Sequence, residues 1–263
     1  MASMDLGVAG RTYLLTGASR GLGLATAHAL VAEGASVVLA SRDRSALESA
    51  VASLPPGRAV ALPADLADDS AAERLVAGTV ARFGRLDGCL VSVGGPAPGT
   101  PLTTSDEAWR AAFESVLLGA VRVIRAVASA ATVEPDELRG TGPAILVVLS
   151  TSAKSPIPGL TASNGLRPGL AMLVKDFADE LGPRGIRVNG IAPGRVATDR
   201  TLDLDARMGN SEAVRRRNEA AIPLGRYGLP EEFGHAAAFL LSPVASFITG
   251  SIIPFDGGSL RAL

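Results

Sequence analysis

Apolar and polar positions along this chain follow two patterns that alternate from end to end. Short apolar or β-branched runs predict strands: "TYLLTG" (12–17), "SVVLAS" (36–41), "AVALPAD" (59–65), "DGCLVSVGG" (87–95), "AILVVLS" (144–150), "IRVNGIAP" (186–193) and "SIIPFDGG" (251–258). Between them, longer Ala- and Leu-rich stretches predict helices: "GLGLATAHALVAEG" (21–34), then segments at 43–53, 69–83, 106–130, 162–182 and 231–241. Strands that read as continuous apolar runs are buried on both faces. Alternating with helices, they make a parallel sheet covered on each side. No repeat or low-complexity linker interrupts the rhythm, so residues 1–263 are expected to form a single doubly wound α/β domain.

Two segments depart from it. "ATVEPDELRGTG" (131–142) is polar, with Pro and Gly, and reads as an exposed loop. Residues 200–226 are charged and follow a strand end, where open α/β sheets bind ligands. They are either a substrate lid or a solvated surface helix.

Length and composition narrow the class. A chain of 263 residues with 47 % hydrophobic positions can bury one sizeable core. The formal charge of −1 argues against a nucleic-acid binder. A single cysteine, Cys89, cannot form an intrachain disulfide and suits a reducing compartment. No apolar h-region precedes the first strand, and no run reaches membrane-spanning length. A soluble cytoplasmic protein is expected, with no membrane or metal site.

The candidate chemistry begins at "TGASRGLG" (16–23), after the first strand and opening the first helix. Gly17, Gly21 and Gly23 permit a tight turn and let the backbone, with Ser19, Arg20 and Leu22, approach a pyrophosphate at the positive helix end. At the end of the second strand an NAD site usually carries a carboxylate, whereas this chain reads "VVLASRDR", with Ser41 and Arg42. Arg42 and Arg20 together suit a 2′-phosphate, so NADP(H) is the expected cofactor. Asp43 is close enough in sequence to pair with an arginine instead.

From about Gly10 to Ser259 the chain resembles the short-chain dehydrogenase/reductases, whose fold is a Rossmann-type sheet. "TGASRGLG" is similar to that family's TGxxxGxG. "ADL" (64–66) falls on the acidic position that contacts adenine, which implicates Asp65 and Leu66. "IRVNGIAPGRVATD" resembles the segment that holds the nicotinamide, implicating Pro193, Gly194, Val196 and Thr198. "SVGG" (92–95), with Ser92 and Gly94, stands where the family has NNAG. The ketoacyl-carrier-protein reductases are the group most resembled.

The resemblance also locates the family's catalytic Asn, Ser, Tyr and Lys, at Ser115, Ser150, Ser163 and Arg167. Only the serine is kept. "AKSPIPGLTASNGLRPGL" is similar to a divergent bacterial branch with S-N-x-x-R in place of Y-x-x-x-K. Serine and arginine cannot act as a general acid near neutral pH, because both titrate far above it. Tyr13, Tyr227, His28 and His235 all lie away from this segment. Four residues apart on one helix, Ser163 and Arg167 share a face. Arg167 is then expected to hold the ribose and, with Ser150, to polarise an oxyanion. Alternatively it pairs with a cofactor or surface group. Lys154 is a candidate proton donor if partly desolvated near Arg167, or else an ordinary exposed lysine.

The leading expectation is an NADP(H)-dependent oxidoreductase acting on a carbonyl, or on an enone or iminium that needs no enzyme acid. A catalytically silent nucleotide-binding protein and a non-redox isomerase, dehydratase or cyclase are the alternatives. "AVRRRNEAA" (213–221) with Arg122 and Arg125 could attract an acyl-carrier or CoA thioester, or be solvated helix faces. The resemblance further implies a homodimer or homotetramer.

Overall fold

The computed structural model describes residues 5–131, 142–207, 209 and 211–261. Its strands are β1 (Thr12–Thr16), β2 (Ser36–Ser41), β3 (Ala59–Pro63), β4 (Gly88–Val91), β5 (Ala144–Val148), β6 (Arg187–Pro193) and β7 (Ile252–Phe255). All pair in parallel, in the order β3-β2-β1-β4-β5-β6-β7. β1, β4 and β5 are buried at every position, as continuous apolar runs require when helices cover both faces.

The helices are α1 (Gly21–Ala32), α2 (Arg44–Ala52), α3 (Ala71–Phe83), α4 (Asp106–Ala112), α5 (Gly119–Ala130), α6 (Thr161–Leu181), α7 (Asp199–Arg207), α8 (Ser211–Ala220) and α9 (Pro230–Leu241). One core, containing Leu15, Leu30, Leu47, Val37 and Phe233, joins one sheet face to α1, α2 and α9. The second, containing Leu14, Leu75, Ile124, Val147 and Val174, joins the other face to α3, α5 and α6. This is the expected doubly wound architecture. Among the described residues, no helix is long and apolar enough to cross a membrane.

Three segments refine the expectations. The helix predicted over 106–130 is interrupted by a π-helical turn at Phe113–Leu118, where the Gly119 N–H donates to the Glu114 carbonyl instead of one four residues back. The Ser115 hydroxyl donates to the Ala111 carbonyl at 2.8 Å in this turn, a competing bond of the kind that perturbs a helical ladder. Of the predicted loop at 131–142, residues 132–141 lie outside the described residues. The charged segment 200–226 carries α7 and α8, which follow directly from the carboxyl end of β6.

A buried carboxylate ties this charged segment down. Asp205, 1 % exposed, accepts from Arg195 Nη1 at 2.5 Å and from the Tyr227 hydroxyl at 2.7 Å. Asn218 Nδ2, on α8, donates to the same tyrosine oxygen at 2.9 Å. One carboxylate thus joins α7, α8, the segment after β6 and the approach to α9. Removing it leaves a half-buried cation and a buried hydroxyl without their acceptor, at a cost of about 2–3 kcal/mol. Tyr227→Phe removes two hydrogen bonds, the one to Asp205 and the one from Asn218, at about 2 kcal/mol together. We therefore expect Asp205→Ala to speed tryptic cleavage at Arg200, Arg207 and Arg215–Arg217 at least tenfold, with Tyr227→Phe intermediate; equal cleavage of all three proteins would contradict the anchor.

Candidate active site

β1 and β4 are neighbours in the sheet, but their following helices cover opposite faces, so their carboxyl ends diverge and leave a cleft. Its volume is about 630 Å³. Lining it are Gly17, Ser19 and Arg20 from the first turn, Ser41 and Arg42 after β2, Asp65 and Leu66 after β3, and Ser92 and Gly94 after β4. Ser115 lies on its far side. Thr16 fixes the crevice floor: its hydroxyl donates to the Ser92 carbonyl and accepts from the Ser92 N–H, both at 2.9 Å.

The glycine turn is shaped by contacts rather than by loop flexibility. Gly17 has φ +59°, and a β-carbon there would lie 2.6 Å from the Ser92 carbonyl oxygen. At Gly23 it would lie 2.6 Å from the Gly17 carbonyl oxygen. The helix therefore begins hard against the strand, and its first N–H groups have no capping side chain. Such a terminus accepts an anion. Across the cleft, the Asp43 carboxylate accepts from the Ala46 N–H at 3.0 Å and caps α2. It makes no ion pair with Arg20 or Arg42 among the described residues, and both arginines remain exposed on the cleft wall. The alternative of an Asp43–arginine pair is thereby removed. Glycine cradle, uncapped helix end and unpaired guanidiniums all fit a dinucleotide phosphate.

The residues of "SNGLR" are each fixed by a different contact. The Ser163 hydroxyl meets the Ser152 hydroxyl at 2.9 Å in a buried pair. Asn164 clamps one residue of the preceding loop, accepting from the Ile157 N–H and donating to the Ile157 carbonyl, both at 2.9 Å. Gly165 makes room for Trp109: a β-carbon there would lie 2.7 Å from the indole. Arg167, 4 % exposed, donates through Nη1 to the Val148 carbonyl at 2.6 Å and more weakly through Nη2 to the Val93 carbonyl at 3.5 Å. Its Nε is buried with no partner. Burial, aided by the charge of Arg200, lowers its pKa to about 10, so it stays protonated at neutral pH.

The expectations for these residues change accordingly. Arg167 was expected to reach the ribose, but its Nη groups are engaged by the carbonyls that end β5 and follow β4. Of the two readings of Lys154, a desolvated proton donor near Arg167 or an ordinary exposed lysine, the structure has the second: it is exposed at the end of the short helical turn Thr151–Ala153. Thr151 and Ser152 of that turn are buried, whereas Ser155, Pro156 and Pro158 after it are exposed like Lys154. Ser150 is half-buried, and its hydroxyl oxygen accepts from the Ser152 N–H at 3.1 Å. Pro193, Gly194, Val196 and Thr198, at and after the end of β6, are not among the residues that line the cleft; Thr198 lies against Gly21, at the start of α1.

Neither tyrosine is an acid for this site. Burial raises the Tyr13 pKa above its ordinary range, and burial together with the bond to Asp205 raises that of Tyr227. His28 and His235 are exposed elsewhere, and the Cys89 thiol is buried in β4 and pushed up by desolvation. Among the described residues no cluster of His, Cys, Asp and Glu could hold a metal ion. Sequence reasoning missed Ser152, Asn164 and Arg200. Ser152 repeats Ser150 at a spacing of two and carried no separate signal; Asn164 was quoted in its motif without a task.

The comparisons agree with this architecture. The family model described as enoyl-(acyl carrier protein) reductase matches residues 17–259. A 2,5-dichloro-2,5-cyclohexadiene-1,4-diol dehydrogenase of Sphingobium indicum is 34 % identical over 252 residues, covering 95 % of this chain and 97 % of that protein. A 3-oxoacyl-[acyl-carrier-protein] reductase of Synechocystis sp. is 33 % identical over 249 residues, covering 93 % and 95 %. The structure of L-sorbose reductase from Gluconobacter frateurii, complexed with NADPH and L-sorbose, superposes with a TM-score of 0.90 at 29 % identity, covering 99 % and 100 %. With the family model and these relatives each spanning nearly the whole chain, this protein belongs to the short-chain dehydrogenase/reductase family of oxidoreductases.

Proposed function

We propose that this protein is an NADP(H)-dependent reductase of a carbonyl or conjugated C=C or C=N bond, working without an enzyme-borne general acid. One observation carries the cofactor half: Arg20 and Arg42 flank the cleft with no carboxylate partner, because Asp43 is committed to capping α2. Two guanidinium forks at that place suit a 2′-phosphate. The related L-sorbose reductase was crystallised with NADPH, which supports the same choice.

When bound, NADPH supplies a hydride; the chain's own groups do the rest. The glycine turn and the α1 N-terminus hold the pyrophosphate. Ser150 offers its hydroxyl proton to the oxygen on which negative charge develops. The Ser152–Ser163 pair fixes the turn that carries Ser150, and the buried Arg167 cation lies behind it, where low dielectric strengthens its field. The proton that completes the product comes from water. A site of this kind favours substrates whose reduced form is a stable enolate, or whose starting form is already cationic. The description of the matched family model, enoyl reduction, names a chemistry of the first sort.

A free small-molecule substrate fits better than a carrier-protein thioester. Arg122 is paired with Asp69 and Glu114, Arg215 with Glu219 and Arg216 with Glu212. Three of the arginines that could attract an acidic carrier are thus already paired, while Arg125 and Arg217 are exposed without an ion pair among the described residues. We also propose a cytoplasmic homo-oligomer, dimer or tetramer, joined beside α9 and β7 where Val244 and Phe247 are exposed.

Fluorescence titration checks the cofactor. Each charged phosphate contact is worth about 1.5–3 kcal/mol, so Arg42→Ala should weaken NADPH about 10- to 100-fold and leave NADH nearly unchanged. Equal weakening of both would remove the 2′-phosphate assignment. Turnover is then sought on enones, cyclic imines, quinones and ketoacyl thioesters. Tight NADPH binding without oxidation on any of them would favour a silent or non-redox protein.

The pH profile checks the missing acid. On an iminium or enone substrate, kcat should stay flat, within about twofold, from pH 6 to 9. It should fall above about 10, as Arg167 loses the proton that charges it. A single ionisation dominating kcat between pH 6 and 9 would reveal an acid in the site.

A further inference from the structure

Arg200 stands on the first turn of α7 and reaches back across the end of the cleft. Its Nη2 donates to the Pro96 carbonyl at 3.2 Å, and its guanidinium fills the space that a side chain at Gly95 would need. Arg167 bonds the same loop at Val93, so two guanidiniums hold the loop after β4 from its two ends. Burial is the main cause that lowers the pKa of Arg167 and of Arg200, and the neighbouring charge adds to it in each case, Arg200 on Arg167 and Arg207 on Arg200.

No carboxylate completes this cluster. Among the described residues, none of Arg167, Arg200 and Arg207 makes an ion pair, although Asp199 and Asp203 flank Arg200 in sequence. Of the neighbouring arginines, Arg217 is exposed and likewise makes no ion pair among the described residues, but four others find carboxylates. Arg195 pairs with buried Asp205, Arg215 with Glu219, Arg216 with Glu212, and Arg226 with Glu232. Like charges left together beside a buried cation repel one another, and an anion supplied from outside would relieve that repulsion. The Arg167 Nε is buried with no partner, so the hydrogen bonding of this cation is itself incomplete. The planar fork of Arg200 matches a carboxylate's two oxygens.

Resting on the reductase function proposed above, we infer that the substrate carries a free carboxylate close to the bond that is reduced, bound by Arg200 at the loop 93–96. The substrate class is then an oxo or 2-enoic acid, rather than a neutral polyol or a thioester. Arg167 is a positioning residue here, holding the loop and adding positive potential.

The same guanidinium could instead meet the cofactor's pyrophosphate, so the experiment separates the two anions. The NADPH-loaded protein is titrated with pyruvate, acetoacetate and crotonate, each against its methyl ester, following nicotinamide fluorescence and thermal shift. We expect at least one acid to bind at least tenfold more tightly than its ester, with affinity falling as salt is raised. Arg200→Met should remove that preference, Arg200→Lys restore part of it, and Arg216→Met, which removes a paired charge from the same segment, leave it intact. The NADPH Kd of Arg200→Met should change less than threefold. A tenfold loss of NADPH affinity would assign Arg200 to the cofactor and overturn the carboxylate site. Esters binding or reacting as well as acids would overturn it while keeping the reductase. Carboxylate binding lost in Arg200→Met, with no acid ever reduced, would keep the site and count against the reductase.

Discussion

A parallel sheet gathers the carboxyl ends of its strands along one edge, where the ladder stops and carbonyls need new donors. Everything functional in this protein is built on how that edge is satisfied. Thr16 exchanges two hydrogen bonds with Ser92, closing the gap between β1 and β4. The Leu149 N–H donates to the Ile191 carbonyl at 2.7 Å, joining the exits of β5 and β6. Arg167 supplies the carbonyls of Val148 and Val93 from a helix that crosses the edge. What the edge leaves unfilled is the crevice at the strand-order switch, and there the uncapped start of α1 faces solvent. Binding capacity is therefore a residue of the folding problem rather than an addition to it.

The same view explains why arginine can stand at position 167. A buried lysine offers a compact ammonium whose pKa falls readily with desolvation, whereas a guanidinium stays charged and spans two acceptors in one plane. The Val148 and Val93 carbonyls belong to different strand exits, and a fork reaches both. Pro168 follows directly within α6 and removes the N–H that would have served the Asn164 carbonyl. The Asn164 side chain meanwhile anchors the loop at Ile157. "SNGLRP" thus holds together a helix start, a loop and two strand ends.

Much of this was legible beforehand, and the boundary is physical. The sheet could be read because a strand buried on both faces must be continuously apolar. The cofactor turn could be read because close backbone approach admits only glycine at Gly17 and Gly23. Arg42 and Asp43 were visible as types, but which would face the cleft depended on Asp43 finding the Ala46 N–H, a contest that local spacing leaves open. The exposure of Lys154 and the burial of the Ser152–Ser163 pair depend on how one loop folds over another, which no periodicity encodes. The π turn at Phe113–Leu118 was hidden because its residues suit an α-helix equally well.

Losing a tyrosine acid and a lysine need not mean losing catalysis, and the burial of Arg167 argues against simple decay. Burying a cation that has no carboxylate partner is costly. Here the cation persists at 4 % exposure, with its pKa depressed and a second guanidinium beside it. Two carbonyl bonds compensate only part of its desolvation, and the unpartnered Nε shows that the compensation is incomplete. On the function proposed above, that positive charge acts on the electrons of the reacting bond rather than on packing.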